Sequence, residues 1–251
     1  MTNIYHMVFF ESDRSIYAFF RGCNFACKGC ILKLSPWDCH LPVSLYSKLR
    51  GRPASQTLSQ AELGSFVERL GVERAVLGGG EPTVDEELTS VVELLSDHGV
   101  YTILLTNGHN LDASMARSLE EAGLNEVCVS IKAFTNSIHT CYTGTSNRRL
   151  LENFKRLNGR RMKLRAESVL ISGLVDLDEI ERVARFIASL NPAISYRIDA
   201  YVQVPGAPWP DAPPERVRRA AEASRKYLEN VSYLHADMPV VSGVKVVYPE
   251  V

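Results

Sequence analysis

What is missing narrows this chain before any motif is considered. No apolar run approaches the roughly 18 residues that a membrane-spanning helix needs, so a helical span is not expected. The first residues, Met1, Thr2, Asn3 and Ile4, have neither the basic nor the apolar region of a secretory signal, and the expectation is a cytoplasmic protein. The formal net charge is only −1, so overall charge selects neither a nucleic acid nor a membrane as partner. There is no low-complexity tract and no internal sequence repeat. Six cysteines in 251 residues do not make a small secreted disulfide framework. In a reducing compartment they point first to a metal site.

What is present is a globular composition, 45% hydrophobic, with enough apolar residues for a sizeable core. Short apolar runs alternate with helical patterns. Residues 15–20 read as a strand that delivers the chain into a cysteine-rich loop. Ser59 and Glu62 form a capping box ahead of the stripe Leu63, Phe66, Val67 and Leu70. Residues 74–77 form a short buried strand ending in glycines, and Thr83 and Glu86 give a second capping-box pattern ahead of Leu88, Val91, Val92 and Leu95. Strands at 101–105, 126–131, 162–171 and 194–202 alternate with helices at 112–122, about 147–157, from Asp176 and Glu179 to Leu190, and at 213–227. Six strand-then-helix units predict an α/β protein with a parallel sheet, a partial (β/α)6 TIM-like barrel. Residues 1–251 read as one domain, with a cysteine loop at 21–40, a lid or insertion at 34–57 and a C-terminal extension at 228–251.

Charge is unevenly placed. Between Arg148 and Arg165 the basic residues outnumber the single acid, Glu152, and a second basic group runs from Arg216 to Lys226. Either these are solvated helix faces, or they form a basic rim for RNA, an acidic protein or a phosphorylated substrate.

Cys23, Cys27 and Cys30 make a Cys-x3-Cys-x2-Cys pattern. Three thiolates on one tight loop can hold three corners of a cubane cluster and leave the fourth iron open. An open coordination position marks a catalytic rather than a closed structural centre. The alternative is a structural zinc site completed by Cys39 or His40. Gly79-Gly80-Glu81-Pro82 follows the second of these strands, where glycines let backbone carbonyls approach an ammonium group closely.

Together these two motifs resemble the radical S-adenosylmethionine superfamily, and the chain is most similar to the activases of glycyl-radical enzymes, the pyruvate formate-lyase activating enzyme type. Thr106-Asn107-Gly108, Ser130-Ile131-Lys132 and the run from Leu164-Arg165 to Asp176 match further motifs at later strand ends. The resemblance implies a [4Fe–4S] cluster on Cys23, Cys27 and Cys30, and S-adenosylmethionine held by Gly79, Gly80, Glu81, Pro82, Thr106, Asn107, Ser130, Lys132 and Arg165. For Lys132 and Arg165 a plain surface charge is the other reading. It further implies an anaerobic oxidoreductase that receives electrons from flavodoxin or ferredoxin and makes a 5′-deoxyadenosyl radical.

The sequence also departs from that pattern. Leu105 and Ser130 stand where the activases have two cation-binding aspartates, Tyr201-Val202 stands where they have Tyr-His, and Gly29 replaces the aromatic residue before the third cysteine. Cys128 alternates into a strand as an ordinary buried residue. On the substrate side, Asp199, Tyr201 and Gln203 alternate along the sixth strand and either point inward or lie on a solvated edge. The loop 204–210, with Trp209, is either a partner-docking loop or a plain connection. No catalytic residue is assigned. Three functions follow: a glycyl-radical activase, a radical enzyme that modifies a small molecule, peptide or RNA, and a non-enzymatic iron–sulfur or zinc module.

Overall fold

The computed structural model describes residues 1–39, 41–235, 238 and 243–250. Its strands are β1 (Ile4–Phe10), β2 (Ser15–Phe20), β3 (Arg74–Gly79), β4 (Tyr101–Thr106), β5 (Glu126–Ser130), β6 (Lys163–Leu170), β7 (Ser195–Ala200), β8 (Val231–Leu234) and β9 (Val244–Tyr248). The helices are α1 (Val43–Leu49), α2 (Gln60–Leu70), α3 (Leu88–Asp97), α4 (Ala113–Glu121), α5 (Asn136–Thr143), α6 (Arg148–Leu157), α7 (Leu177–Leu190) and α8 (Pro214–Ser224). All nine strands form one sheet in the order β8-β7-β6-β5-β4-β3-β2-β1-β9. From β2 to β8 every pairing is parallel, while β1 and β9 add antiparallel strands at one edge.

β8 and β9 lie on opposite edges, yet only nine residues separate Leu234 from Val244. A flat sheet of this width would hold its edges about 38 Å apart, whereas that length of chain reaches at most about 35 Å. The sheet must curl, and the result is a partial, open α/β barrel. The expected six strand–helix units form its body. Sequence reasoning missed β1, β8 and β9, as well as α1 and α5. Residues 228–251, read as an extension, contribute β8 and β9 to the sheet; 236, 237, 239–242 and 251 lie outside the described residues, as does His40.

The two faces of the sheet differ in chemistry. Ile16, Ala18, Phe20, Leu77, Leu104 and Val127 point outward and pack with helical residues such as Leu63, Val91 and Phe154 in the main core. The Ser59–Glu62 capping box forms as the pattern predicts and starts α2. The Thr83–Glu86 box does not. Thr83 lies in a short 3-10 turn, where its backbone N–H is taken by the Glu81 side chain, and α3 starts only at Leu88 without a side-chain cap.

Residues 34–39 and 41–57 pack over the inner face on the β1 side. Trp37, Leu41 and Leu49 close a second apolar cluster with Tyr5, Val8 and Phe19, which point away from the main core. Most of the first basic group read from the sequence is ion-paired. Arg160 and Arg161 meet Glu120, Arg149 meets Asp112, and Lys155 meets Glu152. In the second group Arg216 meets Asp176. Leu49 is fully buried in the second cluster, so Leu49→Ala should cost about 2–5 kcal/mol. Denaturant unfolding checks this, and faster limited proteolysis within 43–57 should accompany it.

Candidate active site

The cysteine loop leaves the end of β2 and is held from two sides. On one side Gly80 N donates to Phe20 O (2.9 Å) and Glu81 N donates to Gly22 O (2.8 Å). A Cβ on Gly80 would lie 2.2 Å from Gly22 O and 2.6 Å from Phe20 O, so only glycine lets the turn after β3 approach this closely. On the other side Ala26 N and Lys28 N donate to Thr143 O and Tyr142 O, both at 2.9 Å. Those acceptors are carbonyls at the C-terminus of α5, where a helix has carbonyls to spare. Cys27 and Cys30 are half-buried and Cys23 is exposed. Burial pushes the Cys27 thiol up to about 11, against the pull of the Lys132 ammonium. Among the described residues no three His, Cys, Asp or Glu side chains converge on a single metal-ion position. Cys39 is exposed.

Glu81 is 1% exposed, and its carboxylate is fully engaged. Oε1 accepts from Thr83 N (3.2 Å), Thr83 Oγ1 (2.6 Å) and Thr106 Oγ1 (2.6 Å), while Oε2 accepts from Asn107 N (2.6 Å). Burial raises its pKa while these donors oppose the shift. Glu81 thus knots the ends of β3 and β4 together beneath the cysteine loop. Asn107 Nδ2 reaches into that loop, 2.6 Å from Asn24 Oδ1 and 3.9 Å from Cys23 Sγ.

At the end of β5, Lys132 Nζ donates to Ser130 Oγ (2.6 Å). The Lys132 ammonium favours the ionised forms of Cys23, Cys27 and Asp199 against the burial that raises each of them. Arg165 does not join this group. Its Nη1 donates to Glu126 Oε1 at 2.7 Å, and Glu126 begins β5 at the opposite end of the barrel. A buried carboxylate at that end already receives Lys163 and Tyr101, and the guanidinium follows it.

The inner face of β5 to β7 carries a polar network that the sequence did not reveal. Arg197 Nη2 donates to Glu167 Oε2 (2.6 Å) and to Asp199 Oδ2 (3.0 Å). Cys128 is buried as expected, but it faces the barrel interior and its Sγ lies 3.8 Å from Glu167 Oε2. Burial pushes Asp199 up to about 6; Arg197 opposes this and the Glu167 charge adds to it. Asp199, Tyr201 and Gln203 do not share a strand face, because β7 ends at Ala200. Asp199 points inward, Tyr201 is buried, and Gln203 is exposed with its backbone N–H bonded to Asp211.

Gly29 has a spatial explanation. A Cβ there would meet Tyr201 at 2.7 Å and Tyr142 at 3.0 Å, and Tyr142 Oη donates to Gly29 O at 3.0 Å. The space beside the third cysteine is filled by rings from α5 and from the end of β7. Trp209 completes the group, 5.8 Å from the Tyr142 ring and 6.3 Å from the Tyr201 ring. It is half-buried against the core, so its ring backs the two tyrosines.

Two outcomes are expected. Gly29→Ala overpacks this contact and should destabilise the protein by about 1–3 kcal/mol, read as a lower denaturation midpoint. For Asp199 the folded pKa, about 6, lies above the ordinary carboxylate value of 3.8. Its contribution is therefore present below about pH 4 and lost as pH rises through about 6. Wild-type stability should fall across that window relative to Asp199→Asn in pH-resolved unfolding.

Comparison with known proteins places this geometry. Residues 17–187 match the Radical SAM superfamily. A Methanocaldococcus jannaschii protein, provisionally named a glycyl-radical enzyme activating enzyme, is 32% identical over 216 residues, 84% of this chain and 77% of the relative. The GTP 3′,8-cyclase of Aquifex aeolicus is 30% identical over 158 residues, 61% of this chain. This match spans only 48% of the cyclase's length. Among solved structures, Streptococcus suis SuiB bound to S-adenosylmethionine superposes with a TM-score of 0.66 at 16% identity, over 90% of this chain and 50% of SuiB. A domain of a pyruvate-formate lyase-activating enzyme from Bacteroides vulgatus gives 0.53 at 15% identity, over 60% of this chain and 91% of that domain. These structural likenesses establish the shared fold. With the family match covering residues 17–187, the chain belongs to the radical SAM superfamily.

Proposed function

We propose that this protein is a glycyl-radical-enzyme activase that uses one [4Fe–4S] cluster per chain and S-adenosylmethionine. The observation that carries the reading is the convergence of the cysteine loop, the 79–82 turn and the β4 end into one hydrogen-bonded unit at the C-terminal ends of β2 to β4, where this class of barrel places its chemistry. The residues present fit the cluster. Three thiols are soft donors suited to iron–sulfur ligation, and the buried Asn24 Nδ2 beside them has no protein partner, as expected of a donor meant for a sulfur-rich group. The cluster and S-adenosylmethionine together supply, by one-electron reductive cleavage, a 5′-deoxyadenosyl radical that abstracts hydrogen from the substrate.

The chain's own part is positional. Cys23, Cys27 and Cys30 hold the cluster, and the backbone of Gly79, Gly80 and Pro82 lines the cofactor pocket with Thr106, Asn107, Ser130 and Lys132. Glu81 acts through the strand ends it ties, and the 34–57 segment helps exclude water. Flavodoxin or ferredoxin is the electron donor. Two features favour an activase over a nucleotide-modifying enzyme. One is the 32% identity to the archaeal relative. The other is the inner wall near the site, where Glu167 and Asp199 offset Arg197 and Lys132; a polyphosphate substrate would need surplus positive charge.

Anaerobically reconstituted protein with dithionite should yield 5′-deoxyadenosine, and a loaded cluster with no turnover would sink the radical mechanism. A glycyl-radical doublet on a partner enzyme selects the activase, whereas deuterium transfer from a small molecule, peptide or RNA into 5′-deoxyadenosine selects a modifying enzyme. Cys27→Ala should abolish cluster binding and Cys39→Ala should preserve it. An essential Cys39 would overturn the three-cysteine site.

A further inference from the structure

Asn107 is oriented through its backbone N–H and both polar atoms of its side chain before any ligand is considered. Its backbone N–H donates to Glu81 Oε2 (2.6 Å), and its Oδ1 accepts from His109 N (2.9 Å). Its Nδ2 donates to Asn24 Oδ1 (2.6 Å) and lies 3.9 Å from Cys23 Sγ. The residue is 6% exposed, so the amide cannot rotate away without stranding buried groups. Cys23 Sγ also accepts from Phe25 N at 3.4 Å. Two N–H groups, from the loop itself and from the end of β4, thus point at one cysteine sulfur. The partner amide adds a third observation: Asn24 Nδ2 is buried and unpartnered among protein atoms.

Resting on the cluster-binding reading above, we infer that the Asn107–Asn24 amide pair, anchored by Glu81, donates N–H···S hydrogen bonds at the Cys23 corner of the cluster and holds its reduction potential up. Asn107 is in this respect a positioning and tuning residue. Reduction by one electron adds negative charge that spreads onto the cysteine sulfurs. A fixed N–H dipole aimed at such a sulfur stabilises the reduced form more than the oxidised one, and hydrogen bonds to sulfur are among the terms that set these potentials. The anchoring carboxylate meets the backbone of Asn107, not its side chain, so changing the side chain leaves the Glu81 knot in place.

The test is an EPR-monitored redox titration of the reconstituted cluster without S-adenosylmethionine, in which the titrant supplies the electron. Asn107→Leu keeps the approximate side-chain volume and removes the N–H. At a fixed potential it should lower the ratio of reduced to oxidised cluster about tenfold, which is a shift of about 59 mV for one electron. Asn107→Asp, which puts an anion in place of the donor, should shift it further in the same direction. A purely structural role would not produce that ordering. Should both variants fail to load a cluster, wild-type protein labelled with 15N in its asparagine side-chain amides provides the readout. Pulsed EPR of its reduced cluster should show a 15N coupling. An unmoved midpoint in normally loaded Asn107→Leu, or no 15N coupling in wild type, overturns the inference. Wild-type protein that assembles no cluster at all refutes the cluster reading instead.

Discussion

The carboxylate of Glu81 is the interaction on which the site depends. Its four donors come from the turn after β3 and from the end of β4, and its own backbone N–H pins the cysteine loop through Gly22. Burying a carboxylate is costly unless it is fully hydrogen-bonded, and here both oxygens are engaged. Each bond to a charged acceptor contributes on the order of 1.5–3 kcal/mol. The arrangement is strongly biased towards one geometry, because any displacement leaves buried donors and a buried charge unpaired together. Three chain segments distant in sequence are thereby fixed relative to one another before a cofactor arrives.

The parts of the site that could be read from the sequence are those whose chemistry is local. Cysteine spacing, a glycine-rich turn and a Thr-Asn-Gly step each need particular residue types at short intervals, and each lies at the strand end its neighbours predict. What escaped notice depends on distant partners. Arg165 was assigned by its place in a motif, but its guanidinium goes to Glu126, 39 residues away, and no local pattern encodes that choice. The Thr83–Glu86 pattern has the spacing of a capping box, yet Glu81 lies nearer to the Thr83 N–H and takes it. Helix α5 has weak apolar periodicity and several threonines, which gave little signal beyond Gly144, the left-handed residue that ends it. Tyr142 and Thr143, which grip the cysteine loop, went unseen for that reason.

Gly29 illustrates how a departure in sequence can preserve a physical requirement. The volume beside the third cysteine must be filled, and an apolar wall there limits water at the thiolates. This chain fills it with Tyr142 and Tyr201, backed by Trp209. Glycine suits the loop position, since a Cβ there would press on the rings. The missing aromatic and the unexpected Tyr201 environment are one fact seen from two elements.

The same coupling governs the inner wall. Arg197 remains cationic throughout the accessible pH range, and its pKa is raised further by the carboxylates around it. Glu167 and Asp199 share that guanidinium, and the Glu167 charge works against ionisation of Asp199. Burial pushes Asp199 up to about 6, against the pull of Arg197. Asp199 Oδ1 lies 2.9 Å from Arg197 Nε and Oδ2 accepts from Nη2 at 3.0 Å, so both carboxylate oxygens are turned to the guanidinium. A carboxylate displaced from Arg197 would be left buried without its cation, the costly outcome for an ion pair of this kind, so the wall is held to its present pairing.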